Sequence, residues 1–210
     1  MEKMDYKKEF KELYQPKETP SVIDVPEMIF IQVEGKGDPN DPHGEYGKAV
    51  ELLYALSYTI RMMPRNGITP PGYFEYVVPP LEGLWWLEEG MEFDLSDKSK
   101  FVWTSMIRQP GFVTDELFLM ACDLVRKKKK LDASSARLVR FTEGLCVQCL
   151  HLGPFSEEPE TVRQMEEYIK AQGLISDLSP LRRHHEIYLS DPRKVKQDKL
   201  KTIIRHPVKV

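Results

Sequence analysis

Met28-Ile-Phe-Ile-Gln-Val-Glu34 is a run of apolar and β-branched residues that predicts a β-strand, and a turn rich in Gly and Pro follows it directly. Leu145-Cys-Val-Gln-Cys-Leu150 has the same character and is followed by a similar turn. After each turn, apolar residues recur at helical spacing, first from Tyr46 to Ile60 and then from Val162 to Gln172. The chain therefore contains a faint internal repeat of strand, turn and helix.

Each of these helices leads to a further predicted strand that carries one acidic residue. The first is Tyr73-Phe-Glu-Tyr-Val-Val78, which contains Glu75, and the second is His184-His-Glu-Ile-Tyr-Leu189, which contains Glu186. The two acids thus occupy pseudo-symmetric places in the repeat.

Between the two repeats, Phe101-Val-Trp-Thr-Ser-Met-Ile-Arg108 predicts another strand, and residues 115–130 predict a third helix with one apolar stripe. The whole pattern predicts an α+β fold made of two pseudo-symmetric strand-helix-strand units. The units share a mostly antiparallel sheet, and the helices pack on one face of it. We expect a single domain over residues 1–210, with pseudo-repeat halves at about 20–98 and 99–210.

Composition excludes several classes of partner. The 210 residues include 30 Lys and Arg against 33 Asp and Glu, a formal net charge of -3, so the basic excess of a non-specific nucleic-acid binder is missing. No apolar run approaches the ~20 residues of a membrane span, and residues 1–20 contain no apolar signal region. We expect a cytoplasmic protein with neither nucleic acid nor membrane as a partner; the oligomeric state is left open.

Strand alternation predicts where Glu186 points. Ile187 and Leu189 share one face of the last strand with His185, and these apolar residues should face the core. The opposite face carries His184, Glu186 and Tyr188. An outward Glu on such a sheet is either simply solvated or part of a binding site.

Aromatic residues favour a binding site. All three tryptophans, Trp85, Trp86 and Trp103, fall within 19 residues of one another, and Tyr73 lies 12 residues before the first of them. Aromatic walls beside a carboxylate suit a cationic or polarised aromatic ligand, through stacking and ion pairing. The alternative is that these tryptophans belong to the hydrophobic core.

Metal and cofactor signals are weak. Cys146 and Cys149 have the spacing of a zinc or redox pair, but no second Cys or His pair with ligand spacing accompanies them. His184 and His185 are neighbours in one strand, so their side chains diverge. We expect reduced, structural cysteines, no bound metal and no cofactor.

Four segments carry a resemblance to a known family: Asp5-Tyr-Lys-Lys-Glu-Phe-Lys-Glu-Leu-Tyr14, Ile23-Asp-Val-Pro-Glu-Met28, Trp103-Thr-Ser-Met-Ile-Arg-Gln-Pro110 and His185-Glu-Ile-Tyr-Leu-Ser-Asp-Pro-Arg193. The chain resembles the gyrase-inhibitor-like (GyrI-like) small-molecule-binding domains, which also form the effector-binding modules of multidrug-responsive transcription regulators. The resemblance is to the stand-alone branch, and no helix-turn-helix segment is evident here. It implies a ligand cleft between the two halves.

The resemblance also implies a site and an activity. The family's ligand-facing acid maps onto Glu186, and Glu75 takes the equivalent place in the first half. Some stand-alone members resemble hydrolases that open the cyclopropane ring of genotoxic pyrroloindole compounds without metal or cofactor. In such a reaction Glu186 is the general base and Tyr188 supports the developing phenolate. The remaining expected ligand-binding residues are Trp103, Trp86, Trp85, Glu75, Tyr73, His184 and Phe155.

Two alternatives stay open at this stage. One is a non-catalytic protein that binds and sequesters hydrophobic aromatic or cationic drugs, and the other is a module that interacts with gyrase. Turnover at enzyme concentrations far below that of the substrate separates hydrolysis from sequestration.

Overall fold

The computed structural model describes residues 3–87 and 98–210. The α-helices in these ranges are α1 (Tyr6–Glu9), α2 (Lys11–Tyr14), α3 (Glu45–Met62), α4 (Asp115–Lys129) and α5 (Glu158–Ala171). The strands are β1 (Ser21–Lys36), β2 (Leu81–Leu87), β3 (Phe101–Gln109), β4 (Ala136–Leu152), β5 (Ile175–Ser176), β6 (His184–Tyr188) and β7 (Lys201–Lys209). Within these ranges, no helix is both long and apolar enough to cross a membrane.

The chain divides into two compact units. The first comprises residues 1–6, 28–81 and 86–141, and the second comprises residues 7–27, 82–85 and 142–210. Hydrogen-bonded neighbours follow the strand order β4-β1-β3-β2-β6-β7-β5, and β4 also pairs with β7. Because β4 pairs with β7 as well as with β1, the sequence of paired strands closes on itself. The repeat pattern alone does not predict this closure.

The first unit is organised by the antiparallel pairing of β1 with β3. Gly35 lies directly opposite Trp103 in this register. A Cβ atom on residue 35 would lie 2.3 Å from the Trp103 ring, so only glycine leaves room for the indole. The buried residues of α3 include Leu53, Leu56 and Ile60.

Helix α4 illustrates how local sequence sets the ends of an element. Thr114 is its N-cap, and the Thr114 hydroxyl accepts a hydrogen bond from the Leu117 N–H at 3.3 Å. Lys130 ends the helix in the left-handed conformation, at φ 58°. The basic residues of its last turn complement the helix dipole. The predicted helix at residues 115–130 is thus confirmed.

The second unit packs α5 against antiparallel strands. β7 pairs with β4, β5 and β6, and its Ile204 lies opposite Cys149 on one side and Glu186 on the other. The apolar core of this unit consists of Val147, Cys149, Met165, Ile169, Ile204 and Val208. Met165 and Ile169 form the apolar stripe of α5, and their burial against the strands holds the helix in place. The residues of the first turn of α5 are thereby held beside β6 and β7.

One predicted strand is wrong. Residues 73–78 form no strand, and only Tyr76 makes an isolated bridge, to Met4. Prolines at 70, 71, 79 and 80 flank this segment and have no N–H to donate to a ladder, which explains the failure. Glu75 is consequently an exposed loop residue, and the alternation predicted around it does not hold.

A fully buried ionic cluster lies inside the second unit. Glu143 of β4 accepts hydrogen bonds from Arg205 of β7 at 3.1 Å and from His185 of β6 at 3.0 Å. The other ring nitrogen of His185 lies 3.1 Å from Glu82 of β2. Arg205 also donates to the side-chain oxygen of Gln148 at 3.0 Å. All five side chains are at least 94 % buried, so each charge depends on these partners.

The cluster shifts the pKa values of its members. Burial alone would raise the pKa of Glu143, but the charges of His185 and Arg205 outweigh burial and lower it to about 2. Burial would likewise lower the pKa of His185, and the charge of Glu143 instead raises it to about 9. The carboxylate and the imidazolium therefore stabilise one another at neutral pH.

Replacing Glu143 with Gln should destabilise the protein strongly. The variant leaves Arg205 and His185 without their shared carboxylate, a change that typically costs about 3–5 kcal/mol of unfolding free energy. Because the folded-state pKa of Glu143 lies below its unfolded value, its contribution is present above about pH 4.5 and is lost as the pH falls towards 2. Thermal melts from pH 7 to pH 2 should show a steeper acid decline for the natural chain than for Glu143→Gln.

Glu160→Gln is the matched control for this experiment. Glu160 pairs with Arg163 on the exposed face of α5, where solvent screens the interaction. Its loss should change the melting temperature at pH 7 far less than the loss of Glu143. Equal effects of the two variants would contradict the assigned role of the buried cluster.

Candidate functional site

The outer face of β6 collects the candidate functional residues. His185 and Ile187 are buried, whereas His184, Glu186 and Tyr188 are half-buried, so the predicted alternation of this strand is confirmed. Alternate residues of a strand lie roughly 6.6 Å apart on one face. Glu186 and Tyr188 therefore present a carboxylate and a phenol side by side.

Two histidines form a hydrogen-bonded chain that ends on Glu186. His184 Nε2 lies 3.0 Å from Glu186 Oε1, and His184 Nδ1 lies 2.7 Å from His206 Nε2. His206 belongs to β7 and is 4 % exposed. Burial, and then the nearby His184, lower the pKa of His206 to about 3, so His206 is neutral at physiological pH.

Two proton arrangements satisfy these distances while both histidines are neutral. In the first, His206 Nε2–H donates to His184 Nδ1, and His184 Nε2–H donates to the Glu186 carboxylate. In the second, His184 Nδ1–H donates to His206 Nε2, and the Nε2 lone pair of His184 faces Glu186 Oε1, which requires a proton on the carboxyl group or a cation between the two atoms. The first arrangement stabilises the charged carboxylate, and the second offers a nitrogen base or ligand.

An aromatic wall stands beside this chain in the second unit. The indole N–H of Trp85 donates to the Tyr188 hydroxyl at 2.8 Å. Phe155 meets the Tyr188 ring edge to face, with ring centroids 6.0 Å apart. The absence of a side chain at Gly83 leaves room for Trp85. A Cβ atom on residue 83 would lie 2.7 Å from the indole nitrogen and 3.2 Å from the Tyr188 hydroxyl oxygen.

Glu158 adds a second carboxylate to the same place. It lies in the first turn of α5 and is 9 % exposed. One ligand atom from each of Glu158, His184 and Glu186 lies within 4.8 Å of the other two. We call the set of Glu158, His184, Glu186, His206, Tyr188, Trp85 and Phe155 the β6 site.

The β6 site combines a proton acceptor, a hydroxyl group and aromatic surface. Glu186 keeps 14 % of its side chain exposed, so a small molecule or water has access to it. The hydroxyl of Tyr188 accepts from Trp85, which polarises the phenol O–H and strengthens it as a donor. Such a set is suited to activating water next to a flat apolar ligand.

Of the residues predicted from sequence, five meet in the β6 site: Glu186, Tyr188, Trp85, His184 and Phe155. Trp103 lies elsewhere, in the first unit, where it is 1 % exposed and meets Tyr46 edge to face at 5.2 Å. The Trp103 indole nitrogen has no hydrogen-bond partner among the described residues. Ligand contact by Trp103 stays a prediction, and the proposal below does not depend on it.

The other three predicted residues also belong to the first unit. Trp86 follows Trp85 on β2, where strand alternation directs successive side chains to opposite faces. Tyr73 donates its hydroxyl hydrogen to the Arg61 carbonyl at 2.9 Å and packs near Phe112. Glu75 is exposed beside it.

Sequence reasoning missed His206 and Glu158. The segment that contains His206 has the composition of a strand. Only the pairing of β6 with β7 shows that His206 lies next to His184. Glu158 sits in a turn rich in Glu and Pro, where an acidic residue at the start of a helix is common. No spacing rule links residues on α5, β6 and β7.

The cysteines are free and buried, as expected of structural residues. The Cys149 thiol donates to the Glu18 carbonyl at 3.1 Å, and burial raises its pKa to about 11. Burial raises the pKa of Cys146 as well. A thiol with a raised pKa is a poor nucleophile and a poor metal ligand at neutral pH.

Comparison with known proteins places this geometry in context. The model of the GyrI-like small molecule binding domain family matches residues 18–209. A hydrolase from Listeria innocua is 49% identical, with a TM-score of 0.90, over 99% of this chain and 100% of that chain. An uncharacterized conserved protein from the same organism is 51% identical, with a TM-score of 0.93, over the same shares.

A more distant structure agrees only in fold. The C-terminal domain of EcmrR is 12% identical, with a TM-score of 0.51, and covers 91% of this chain and 97% of that chain. A search of curated proteins gave no significant match.

Gly83→Ala should disturb the pair formed by Trp85 and Tyr188. The added methyl group would overlap the indole nitrogen, so either the ring or β2 must shift. We expect a lower melting temperature and an altered tryptophan emission spectrum, measured by thermal melts and fluorescence.

Gly47→Ala is the matched control. A Cβ at Gly47 meets no atom within 4 Å outside the backbone of its own helix, and the residue lies in the first turn of α3. Alanine there should stabilise the chain by roughly 0.5–1 kcal/mol. A Gly83→Ala protein as stable as the natural chain, with unchanged emission, would show that the close approach is not required.

Proposed function

Because this chain belongs to the GyrI-like small-molecule-binding domain family, we propose that its ligand is a hydrophobic aromatic compound with an electrophilic cyclopropane ring, which the protein opens with water. The observation that carries the proposal is the Glu186 carboxylate, hydrogen-bonded by His184 and placed on one strand face with Tyr188. The similarity to a Listeria hydrolase at 49% identity supports a hydrolytic reaction. The proposed role is detoxification of genotoxic compounds.

Glu186 is the general base in the proposed reaction. It takes a proton from a water molecule, and the water oxygen forms a bond to the cyclopropane carbon. The adjacent carbon–carbon bond of the ring breaks, and its electron pair moves through the conjugated system to an oxygen, which becomes a phenolate. A proton then returns to the phenolate, so the net change is the addition of one water molecule.

His184 positions the base. Its Nε2–H donates to Glu186 in one of the two proton arrangements, which fixes the orientation of the carboxylate. His206 holds the His184 ring from the other side at 2.7 Å.

Tyr188 supports the developing negative charge. A hydrogen bond that strengthens as the phenolate forms lowers the barrier more than it strengthens substrate binding. Trp85 orients the Tyr188 hydroxyl through its N–H, and Phe155 packs against the same ring. The exposed edges of these rings supply apolar surface for a flat substrate.

Replacing Glu186 with Gln keeps the side-chain volume but removes the proton acceptor. Turnover of a cyclopropane-bearing substrate should fall by roughly 10²–10⁴, the usual contribution of a general base, while substrate affinity changes much less. Chromatographic assay of the ring-opened product gives kcat, and equilibrium titration with a non-reactive analogue gives affinity.

Glu75→Gln is the control, because Glu75 is an exposed loop residue of the first unit and should have a much smaller effect. A non-catalytic binder gives a different pattern: stoichiometric protection, no turnover in any variant, and loss of affinity for cationic ligands alone. Full turnover by a folded Glu186→Gln protein would refute the assignment of the base.

Tryptophan fluorescence tests the aromatic wall. A planar aromatic ligand should quench the emission of the natural chain saturably, and Trp85→Phe should remove most of that change because Trp85 lies in the β6 site. Trp103→Phe is the matched control and should keep the quenching, since Trp103 is 1 % exposed. The opposite result, with quenching lost only in Trp103→Phe, would move the ligand to the first unit.

A further inference from the structure

The carboxylates of the β6 site have a second chemical use. Glu158 of α5 and Glu186 of β6 flank the ring of His184, and one ligand atom from each residue lies within 4.8 Å of the others. One imidazole nitrogen and two carboxylate oxygens form a ligand set common to transition-metal sites. We propose that Glu158, His184 and Glu186 bind one exchangeable divalent transition-metal ion, of the class of Zn²⁺ or Co²⁺.

The distances fit this class of ion. Ligand atoms that each lie about 2.1 Å from one ion are about 3.0 Å apart at right angles and about 3.4 Å apart in a tetrahedron. His184 Nε2 and Glu186 Oε1 are 3.0 Å apart. The ligand atom of Glu158 lies within 4.8 Å of the other two, so it must approach them by up to about 1.4–1.8 Å to complete the set.

The surroundings of His184 are those of a metal ligand. A ligating histidine usually donates its second ring N–H to a fixed acceptor, and this bond sets the tautomer and the ring orientation. His206 Nε2 lies 2.7 Å from His184 Nδ1, and the two rings cross at 67°. When His206 accepts this bond, the Nε2 lone pair of His184 is directed to the side where both carboxylates lie.

Ligand type selects among cations. Mg²⁺ and Ca²⁺ prefer all-oxygen sites, whereas an imidazole nitrogen favours Zn²⁺, Co²⁺ or Ni²⁺. Two carboxylates also balance the charge of a divalent ion. With three protein ligands, the remaining coordination positions are left for water, as in catalytic and not in structural zinc sites. The sequence pattern predicts no bound metal, and this proposal departs from that prediction.

The metal-bound and hydrolytic states exclude each other. An ion that holds the Glu186 oxygen removes the proton acceptor that the proposed reaction uses. The metal site itself, however, needs no substrate, so its test stands apart from the test of hydrolysis.

Isothermal titration of the chelator-treated chain with Zn²⁺, and spectroscopy with Co²⁺, test the site. We expect one ion per chain, and a Co²⁺ spectrum without the intense charge-transfer band of thiolate ligands. Glu158→Gln and His184→Asn should each weaken binding by at least about 10-fold, since even the loss of an outer partner of a metal ligand costs about 10–100-fold. Glu158→Gln is the sharper variant, because Glu158 has no part in the proposed proton transfer.

Glu157→Gln is the matched control. Glu157 is the exposed neighbour of Glu158, outside the ligand set, and its replacement should leave the affinity for Zn²⁺ unchanged. Absence of saturable binding by the natural chain would overturn the proposal. The proposal would also be overturned if folded Glu158→Gln and His184→Asn proteins bound Zn²⁺ as tightly as the natural chain. A thiolate band in the Co²⁺ spectrum would overturn it as well.

Discussion

The shared carboxylate of Glu143 is the interaction on which the second unit depends. It joins β4 to β6 through His185 and to β7 through Arg205, in a place with almost no solvent. A slip of one residue in any of these strands would leave a buried charge without a partner, which is far more costly than the loss of an apolar contact. The cluster thereby specifies the register of the strands. Because side chains alternate along β6, burying His185 on this face places Glu186 on the other face.

The β6 site is a consequence of that register. Pairing of β6 with β7 brings His206 next to His184, and the packing of α5 on the same strands brings Glu158 and Phe155 close by. The buried cluster satisfies all of its charges internally, so it stabilises the fold and offers nothing to a ligand. The outer face keeps partial exposure and two carboxylates, and its aromatic groups come from β2, from β6 and from the turn that precedes α5. The buried ionic cluster and the β6 site thus lie on opposite faces of one five-residue strand.

The wrong strand prediction at residues 73–78 shows a limit of predicting strands from hydrophobic pattern. The segment has the aromatic and β-branched composition of a strand, but prolines on both sides remove the N–H groups that a ladder needs. The next strand begins instead at Leu81, and its acid, Glu82, lies in the buried ionic cluster. Hydrophobic periodicity reports which side chains prefer burial, and it does not report whether the backbone can pair.

The sequence by itself determined the family, the α+β class, the helices predicted at 46–60, 115–130 and 162–172, and the alternation that separates Glu186 from His185 and Ile187. These features depend on local periodicity and on motifs contiguous in the chain. Only the tertiary structure decided which aromatic residues accompany Glu186. It placed Trp85 beside Tyr188 and buried Trp103 in the first unit, since the absence of a Cβ at Gly83 and Gly35 leaves room for the two indoles. It also brought His206 and Glu158 to the site. Contacts between residues on separate elements arise from packing, and no spacing in the sequence encodes them.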